Sequence, residues 1–425
     1  LRRDGDVFSV RLSLAEAESF AGSHAGILKD AGYAVALPFS LSSVAIEADM
    51  ELAPCQHTLP AEASAKNLSA TLKIRVAGEV VDEEEIRFLL DQGSSLVFFR
   101  NRWIEVDRAI LKEALKALAQ VKGEKLSLRD AVGFSLGISR RGNLKIARFK
   151  AHGWLRGLLN ELSGEKQFSI IAAPGKLEGT LRDYQLRGAS YLAFLAKWGF
   201  GPLLADDMGL GKTIQTIAFL LHRNEFPVLV VAPVTLTANW TREFLRFAPS
   251  VKVYLHQGLS RKTSRLGLSG GVTLTSYSLL VKDFRLLASI DWKCAVFDEA
   301  QVLKNSATRV SRAAAALRAG AKIALTGTPL ENSALDLWSI EEILNPGLLG
   351  EKTEFARTFA KTDTPLKKLR HIMAPFLLRR LKTDPSIAAE LGEKREIREY
   401  TPLSAEQRTL YEEALHRYRE DGAFS

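Results

Sequence analysis

An α/β fold is predicted, in which a mainly parallel sheet covered by helices follows a smaller mixed α+β domain. Three observations carry this expectation. From residue 176 onward, short runs that are apolar throughout, such as Val228-Leu229-Val230-Val231-Ala232, alternate with segments of helical period, the pattern of a parallel sheet buried on both faces. Between residues 1 and 165 the period is two, in Phe8-Ser9-Val10-Arg11-Leu12 and Leu72-Lys73-Ile74-Arg75-Val76, as half-buried strands require. At the junction of one buried strand with the next helix stands Gly209-Leu210-Gly211-Lys212-Thr213, a tight turn that favours glycine.

The elements follow in order. Asp82 to Glu85 load acid into a helix start, where the dipole favours it. Leu96 to Val106 reads as a hairpin turning near Asn101, and Ile110, Leu111, Ala114, Leu115 and Leu118 recur at helical spacing. Ser127 with Asp130 forms a capping box for the next helix. Arg100, Arg102 and Trp103 offer a grip for nucleic acid, set against the plainer reading that an aromatic residue in an alternating strand belongs to the core. Pro174-Gly175 and Gly179 mark the joint to the second domain. There the strands are expected at 203–205, 228–232, 251–255, 272–275, 295–297 and 323–325, and the helices at 212–222, 237–247, 278–288 and 306–319.

The totals bound the partners. A chain of 425 residues holds two or three domains, and 46% hydrophobic with 25% charged residues is an ordinary soluble composition. No apolar run approaches the roughly 18 residues of a membrane span, so no membrane partner is expected. Leu1 in first place, without a signal-peptide pattern, reads as an incomplete end. Two cysteines are too few for a disulfide framework and imply a reducing, cytoplasmic compartment; seven histidines without ligand spacing argue against a structural metal. The formal charge is +9, most of it beyond residue 160, which favours a polyanionic partner.

Polyphosphate needs converging backbone N–H groups, a helix N-terminus, a cation and a hydroxyl for the metal. The loop Asp207-Met208-Gly209-Leu210-Gly211 supplies the first, Lys212 the cation, and Thr213 the hydroxyl for Mg²⁺. The strict Gly-x-x-x-x-Gly-Lys-Thr pattern has glycine where this chain has Asp206. Asp298 follows an apolar strand, where it is placed to hold Mg²⁺ through water, and Glu299 beside it to orient and deprotonate the attacking water. Thr326-Gly327-Thr328 ends another strand with hydroxyls able to sense the γ-phosphate. Gln185, 27 residues before Lys212, carries an amide that can pair both edges of adenine.

The ordered set Leu181–Gln185, Asp206–Thr213, Ala232–Leu236 with Asn239-Trp240, Thr275-Ser276-Tyr277, Asp298–Gln301 with Lys304-Asn305, Thr326–Pro329 and Phe376–Arg380 resembles the first half of a Swi/Snf-type ATPase. That family belongs to the superfamily 2 helicase-like group of double-stranded DNA translocases and chromatin remodellers. The resemblance runs from about residue 177 to the end, and Asp206 in place of glycine is usual in it. It implies a P-loop lobe of RecA-like fold at 177–392, a nucleic-acid-dependent ATPase using ATP and Mg²⁺, and catalytic roles for Lys212, Asp298 and Glu299. Gln301, Thr326, Gly327 and Thr328 would couple the site to its surroundings, while Asn239, Trp240, Thr275, Ser276, Lys304 and Asn305 would lie toward the DNA backbone.

Residues 1–170, especially Leu96–Leu136, resemble the helicase-associated module that precedes the motor in bacterial members, which implies no assigned chemistry; the Swi/Snf-type resemblance implies a cytoplasmic, nucleoid-associated protein acting on double-stranded DNA, with a DNA-bound protein or RNA polymerase as open choices of target. Lys361, Lys367, Lys368, Arg370, Arg379, Arg380 and Lys382 crowd one basic stretch, open to phosphate contact, to a solvated face or to lobe packing. Residues 393–425 read as a linker and the start of a second lobe that the chain lacks. Without that lobe's arginine finger, which contributes about 10³–10⁵ in rate, the chain is expected to bind nucleotide and hydrolyse it poorly. Two other functions fit the same residues: a nucleotide-gated protein-binding module without translocation, and an RNA-directed helicase.

Overall fold

The structure, a computed structural model, describes residues 2–4, 7–9, 12–35, 44–55, 66–122, 125–138, 145–258, 261, 270–327, 333–359, 363–391 and 401–420. Contacts divide the chain into two units, Leu1–Leu381 and Lys382–Ser425. The residues on either side of Pro174-Gly175 therefore stay in one unit.

The first unit opens with an antiparallel pair, β1 (Arg2–Asp4) and β2 (Val7–Ser9); of the strand expected at 8–12, residues 10 and 11 lie outside the described residues. Helices α1 (Leu14–Ser19) and α2 (Ala25–Asp30) follow. A mixed sheet is then built from β3 (Ile46–Pro54), β4 (Lys66–Val76) and β5 (Glu79–Val81). Between it and the later strands come α3 (Glu83–Asp91), β6 (Leu96–Phe99), β7 (Arg102–Glu105) and α4 (Arg108–Val121). The sheet is completed by β8 (Lys125–Ser127), which leads into α5 (Leu128–Ser135), and by β9 (Lys145–Ala151), which leads into α6 (Gly153–Leu162). Its inward face is Ala48, Met50 and Leu52 of β3 with Leu68, Ile74 and Val76 of β4, all buried.

Local sequence explains these joints. Asp82 and Ser127 each form a reciprocal capping box, with Glu85 and Asp130, satisfying N–H groups that the first helical turn leaves open. The β6–β7 hairpin turns on Arg100 and Asn101, both left-handed at φ 44° and 66°, the sense that matches strand twist. Arg100 is held by Glu79 and Glu85, Arg102 donates to the Ala77 carbonyl, and Trp103 lies half-buried with its ring 5.4 Å from Phe98. These three side chains brace the first domain, in line with the plainer of the two readings given above.

The remainder of this unit is a seven-stranded sheet in which every pairing is parallel. After α7 (Asp183–Lys197) come β10 (Leu203–Leu204), α8 (Lys212–Arg223), β11 (Val228–Ala232), α9 (Val234–Phe247) and β12 (Val253–Leu255). Next are β13 (Val272–Ser276), α10 (Tyr277–Lys282), α11 (Phe284–Ala288), β14 (Trp292–Asp298), α12 (Arg309–Ala316) and β15 (Ala319–Leu325). Then follow α13 (Ala334–Leu344), α14 (Lys352–Phe359), α15 (Asp363–Met373) and β16 (Leu377–Leu378). The strand order is β12-β13-β11-β14-β15-β10-β16. β11 and β13 are buried at every residue, as strands covered on both faces must be.

The helix expected at 278–288 is two helices meeting at Asp283, whose carboxylate takes bonds from Arg261 and His256. The helix expected at 306–319 is shorter because β15 already begins at Ala319. Trp154 of α6 stacks 5.6 Å from Trp198 at the end of α7, packing the mixed domain against the parallel one. In the second unit the described helices are α16 (Pro385–Leu391) and α17 (Ala405–Glu420).

Register decides where chemistry can sit. Leu204 pairs with both Leu325 and Leu378, and Leu325 pairs with Asp298, so four adjacent strands end in one row. The segments leaving that row are the 205–211 loop, Glu299, Thr326-Gly327 and Arg379-Arg380. Ligands of open parallel sheets bind at this carboxyl edge.

Candidate functional site

The glycine loop is shaped for an anion. Gly209 and Gly211 are left-handed at φ 87° and 80°, and Gly211 is the N-cap of α8 without any side-chain cap. The first-turn N–H groups and the positive end of the helix dipole thus remain for a ligand. A Cβ on Gly211 would stand 2.6 Å from Gln185 Nε2, so a side chain here would displace the glutamine as well as strain the backbone. Thr213 lies half-buried in the same turn.

Lys212 curls over the loop, Nζ donating to the Asp206 carbonyl at 2.7 Å. Burial pulls its ammonium below the usual lysine range, while Glu299, then Asp206, Asp298 and Asp207, favour the charge. The amine therefore lies within electrostatic reach of both strand-tip acids. The residues present fit a metal-bound polyphosphate: uncapped N–H groups, a cation among carboxylates, and a hydroxyl at the loop's end.

Asp298 is buried at 8% exposure. Burial raises its pKa, a bond from the Trp240 indole lowers it, and Glu299 raises it again. Glu299 itself is left-handed at φ 50°, a conformation that non-glycine residues adopt with strain. Its Oε2 accepts from Gln301 Nε2 at 2.8 Å, and Gln301 Oε1 accepts from the Thr326 hydroxyl at 2.8 Å. One line of bonds therefore joins the tips of β14 and β15. Gly327 faces Met208 of the phosphate loop: a Cβ added there would stand 3.2 Å from the methionine side chain. Thr328 lies outside the described residues.

Asp206, the departure from the glycine pattern, is fully buried and paired with Arg380, whose Nε donates to Oδ1 at 2.9 Å. Gln215 Nε2 donates to the same carboxylate and its Oε1 accepts from Arg380 at 2.7 Å. Gln185 ties α7 to the loop: its Nε2 donates to the Leu210 carbonyl at 3.3 Å and its Oε1 accepts from the Arg182 N–H. Adenine would have to exchange with these partners.

Residues 184–422 match the family model described as the SNF2-related domain. The chain belongs to the SNF2-related family. A second family model, described as SNF2 Helicase protein, matches residues 7–136. The putative ATP-dependent helicase/translocase YwqA of Bacillus subtilis is 34% identical over 434 residues, covering 95% of this chain and 47% of YwqA. The chromatin-remodeling ATPase INO80 of Drosophila melanogaster is 34% identical over 270 residues, 57% of this chain and 16% of INO80. Among solved structures, the Sulfolobus solfataricus SWI2/SNF2 ATPase core in complex with dsDNA is 39% identical, with a TM-score of 0.50, over 60% of this chain and 55% of that one. The chain thus spans about half or less of the length of these curated relatives.

Within this SNF2-related chain, the residues expected toward DNA divide into two groups. Asn239 and Lys304 are half-buried and Asn305 is exposed, its Oδ1 accepting from the Ala307 N–H. Trp240, Thr275 and Ser276 are inside, at 1%, 0% and 3% exposure. The Thr275 hydroxyl donates to the His256 carbonyl, and Ser276 caps α10, so neither these nor Trp240 presents a free group to a duplex. Of the basic stretch, Arg380 is taken up by Asp206, Lys367, Lys368, Arg370, Arg379 and Lys382 are exposed, and Lys361 lies outside the described residues. What residue types alone did not disclose is that Trp240, Tyr277 and Arg380 serve the site from beneath.

No helix among the described residues is long and apolar enough to cross a membrane, and no group of three or more His, Cys, Asp or Glu side chains there could hold a metal alone.

Proposed function

We propose that this chain carries the nucleotide-binding part of an ATP-dependent translocase on double-stranded DNA, one that remodels protein–nucleic acid complexes. The observation that carries the reading is the hydrogen-bonded line Glu299–Gln301–Thr326 on the same sheet edge as the uncapped loop of Lys212. It ties the candidate base for water to the neighbouring strand tip on the edge that carries the phosphate loop. The printed names of the relatives, an ATP-dependent helicase/translocase and a chromatin-remodeling ATPase, support it, as does a similar core in complex with dsDNA.

In this reading the first turn of α8 and the Gly209–Gly211 turn bind the polyphosphate, and Lys212 neutralises it. Thr213 and Asp298 hold Mg²⁺, which when bound supplies Lewis-acid charge to the phosphoryl oxygens. Glu299 orients the attacking water and takes its proton. Gln185 exchanges its loop bonds for adenine. Asn239, Lys304 and Asn305 meet the duplex backbone. Charge stabilisation from across a cleft, of the kind an arginine finger gives, completes turnover in this reading.

The test is ATP turnover by the full-length protein at low salt, with and without duplex DNA and duplex RNA. Stimulation by DNA above RNA is expected. Equal turnover with and without nucleic acid would overturn the translocase reading in favour of a nucleotide-gated binding module.

A further inference from the structure

Two aromatic side chains from different elements converge on one residue of the site. Trp240, on α9, donates from its indole Nε1 to Asp298 Oδ2 at 2.7 Å. Tyr277, the first residue of α10, donates from its hydroxyl to the Asp298 backbone carbonyl at 2.7 Å. The other carboxylate oxygen, Oδ1, accepts from the Glu299 N–H at 3.0 Å. Both aromatics are buried, at 1% and 7% exposure, and Trp240 is further fixed against Phe244, their rings 5.9 Å apart.

A buried indole or phenol needs some acceptor, and a main-chain carbonyl would satisfy it. Here the indole selects a carboxylate, which makes the bond charge-assisted and fixes the side-chain rotamer. The phenol fixes the same residue's backbone. An acid held at both ends presents its remaining lone pairs in one direction, which is what outer hydrogen bonds do for metal-holding carboxylates.

We propose that Trp240 and Tyr277 are positioning residues that aim the Asp298 carboxylate at the metal of a bound Mg·nucleotide. They also make the segments 233–240 and 275–278 mechanical neighbours of that metal. Half-buried Asn239 and exposed Ser278 lie beside them on the same segments, so a contact made there moves Asp298. By reciprocity, Mg·nucleotide then alters affinity for whatever touches those segments. The proposal rests on the nucleotide reading given above, and it replaces a contact role for Trp240 with an orienting one.

Trp240→Phe keeps the ring packing and removes the N–H, and Tyr277→Phe removes the hydroxyl alone. Calorimetric titration of ADP into the wild type and each variant, in Mg²⁺ and again in EDTA, separates orientation from folding. Trp240→Phe is expected to weaken Mg·ADP binding about ten- to a hundredfold while leaving binding in EDTA within a factor of two. Tyr277→Phe moves the same way by a smaller factor, so it carries the test should the tryptophan variant fail to fold. Unchanged Mg·ADP binding in both folded variants overturns the proposal, as does an equal loss in Mg²⁺ and EDTA, which marks general loosening. A second arm measures duplex DNA affinity without nucleotide: no change is expected in Trp240→Phe, and a loss there with intact Mg·ADP binding returns the tryptophan to the DNA. Should the wild type bind no ADP in either condition, the nucleotide reading itself is refuted.

Discussion

Arg380 and Asp206, 174 residues apart in sequence, form an ion pair at the phosphate loop, with the Asp206 side chain fully buried and that of Arg380 13% exposed. The same guanidinium donates to the Tyr184 carbonyl and lies 5.3 Å from the Tyr184 ring. The Arg380 carbonyl accepts from the Asp207 N–H, so backbone and side chain both fasten the segment leaving β16 to the loop. A glycine at position 206 would leave this cation without its counter-charge.

Removing one partner of a buried pair leaves the other uncompensated and costs about 3–5 kcal/mol. Asp206→Ala and Asp206→Gly are both expected to destabilise by that order in urea melts, although the second restores the commoner phosphate-loop sequence. Asp206→Ala combined with Arg380→Met should recover part of the loss. Additive losses in the double variant would show that the two side chains act separately.

The Glu299–Gln301–Thr326 line predicts a split between binding and turnover. Thr326→Val deletes one neutral hydrogen bond, worth about 0.5–1.5 kcal/mol, from the line that joins the tips of β14 and β15. Turnover by the full-length protein should fall roughly two- to tenfold with nucleotide affinity unchanged, and Thr326→Ser should restore it. A rise in Kd without a fall in kcat would place Thr326 on the ligand instead.

Two buried groups shape the pH dependence of stability. Glu341, whose Oε2 accepts from Asn345 at 2.8 Å, is pushed by burial from 4.5 up to about 8. Between those values the native state keeps a proton that the unfolded chain releases, so this group's contribution falls as pH rises from 4.5 to about 8 and is flat beyond. Lys322 is pushed by burial, and by Arg129, from 10.5 down to about 8, so its contribution rises with pH between about 8 and 10.5. Melting temperatures should show the gap between Glu341→Gln and wild type widening up to about pH 8 and constant above it. Lys322→Met should flatten the alkaline rise.

For nucleic acid, Lys304→Ala is expected to weaken duplex DNA binding across sequences and to reduce the slope of log K against log salt by about 1, the mark of one lost phosphate contact. Arg100→Ala should leave both unchanged, since Arg100 is engaged by Glu79 and Glu85. Equal effects from the two variants would point to general electrostatics.

The parts that local chemistry dictates were readable from residues alone. The apolar strands β11 and β14, the acid-loaded helix start at Asp82, the capping box at Ser127 and the turn near Asn101 each follow from a few neighbouring side chains. The long-range parts were not. β16 is two residues, and nothing in Leu377-Leu378 announces that it pairs with β10, far earlier in the chain. Trp240 beside Asn239 reads as a surface dipeptide, yet one helical step turns the indole into the core and onto Asp298. Motif position carried Asn239 and Trp240 together; burial separates them.

Backbone shape at Glu299 limits what else that position can hold. With φ at 50°, β-branched side chains are disfavoured there, whereas asparagine settles readily. Glu299→Asn should melt no lower than the parent while losing turnover, and Glu299→Val should lose both. At this one codon durability and chemistry pull apart: the fold would tolerate, or even welcome, a residue that, on the role proposed for Glu299, silences the reaction.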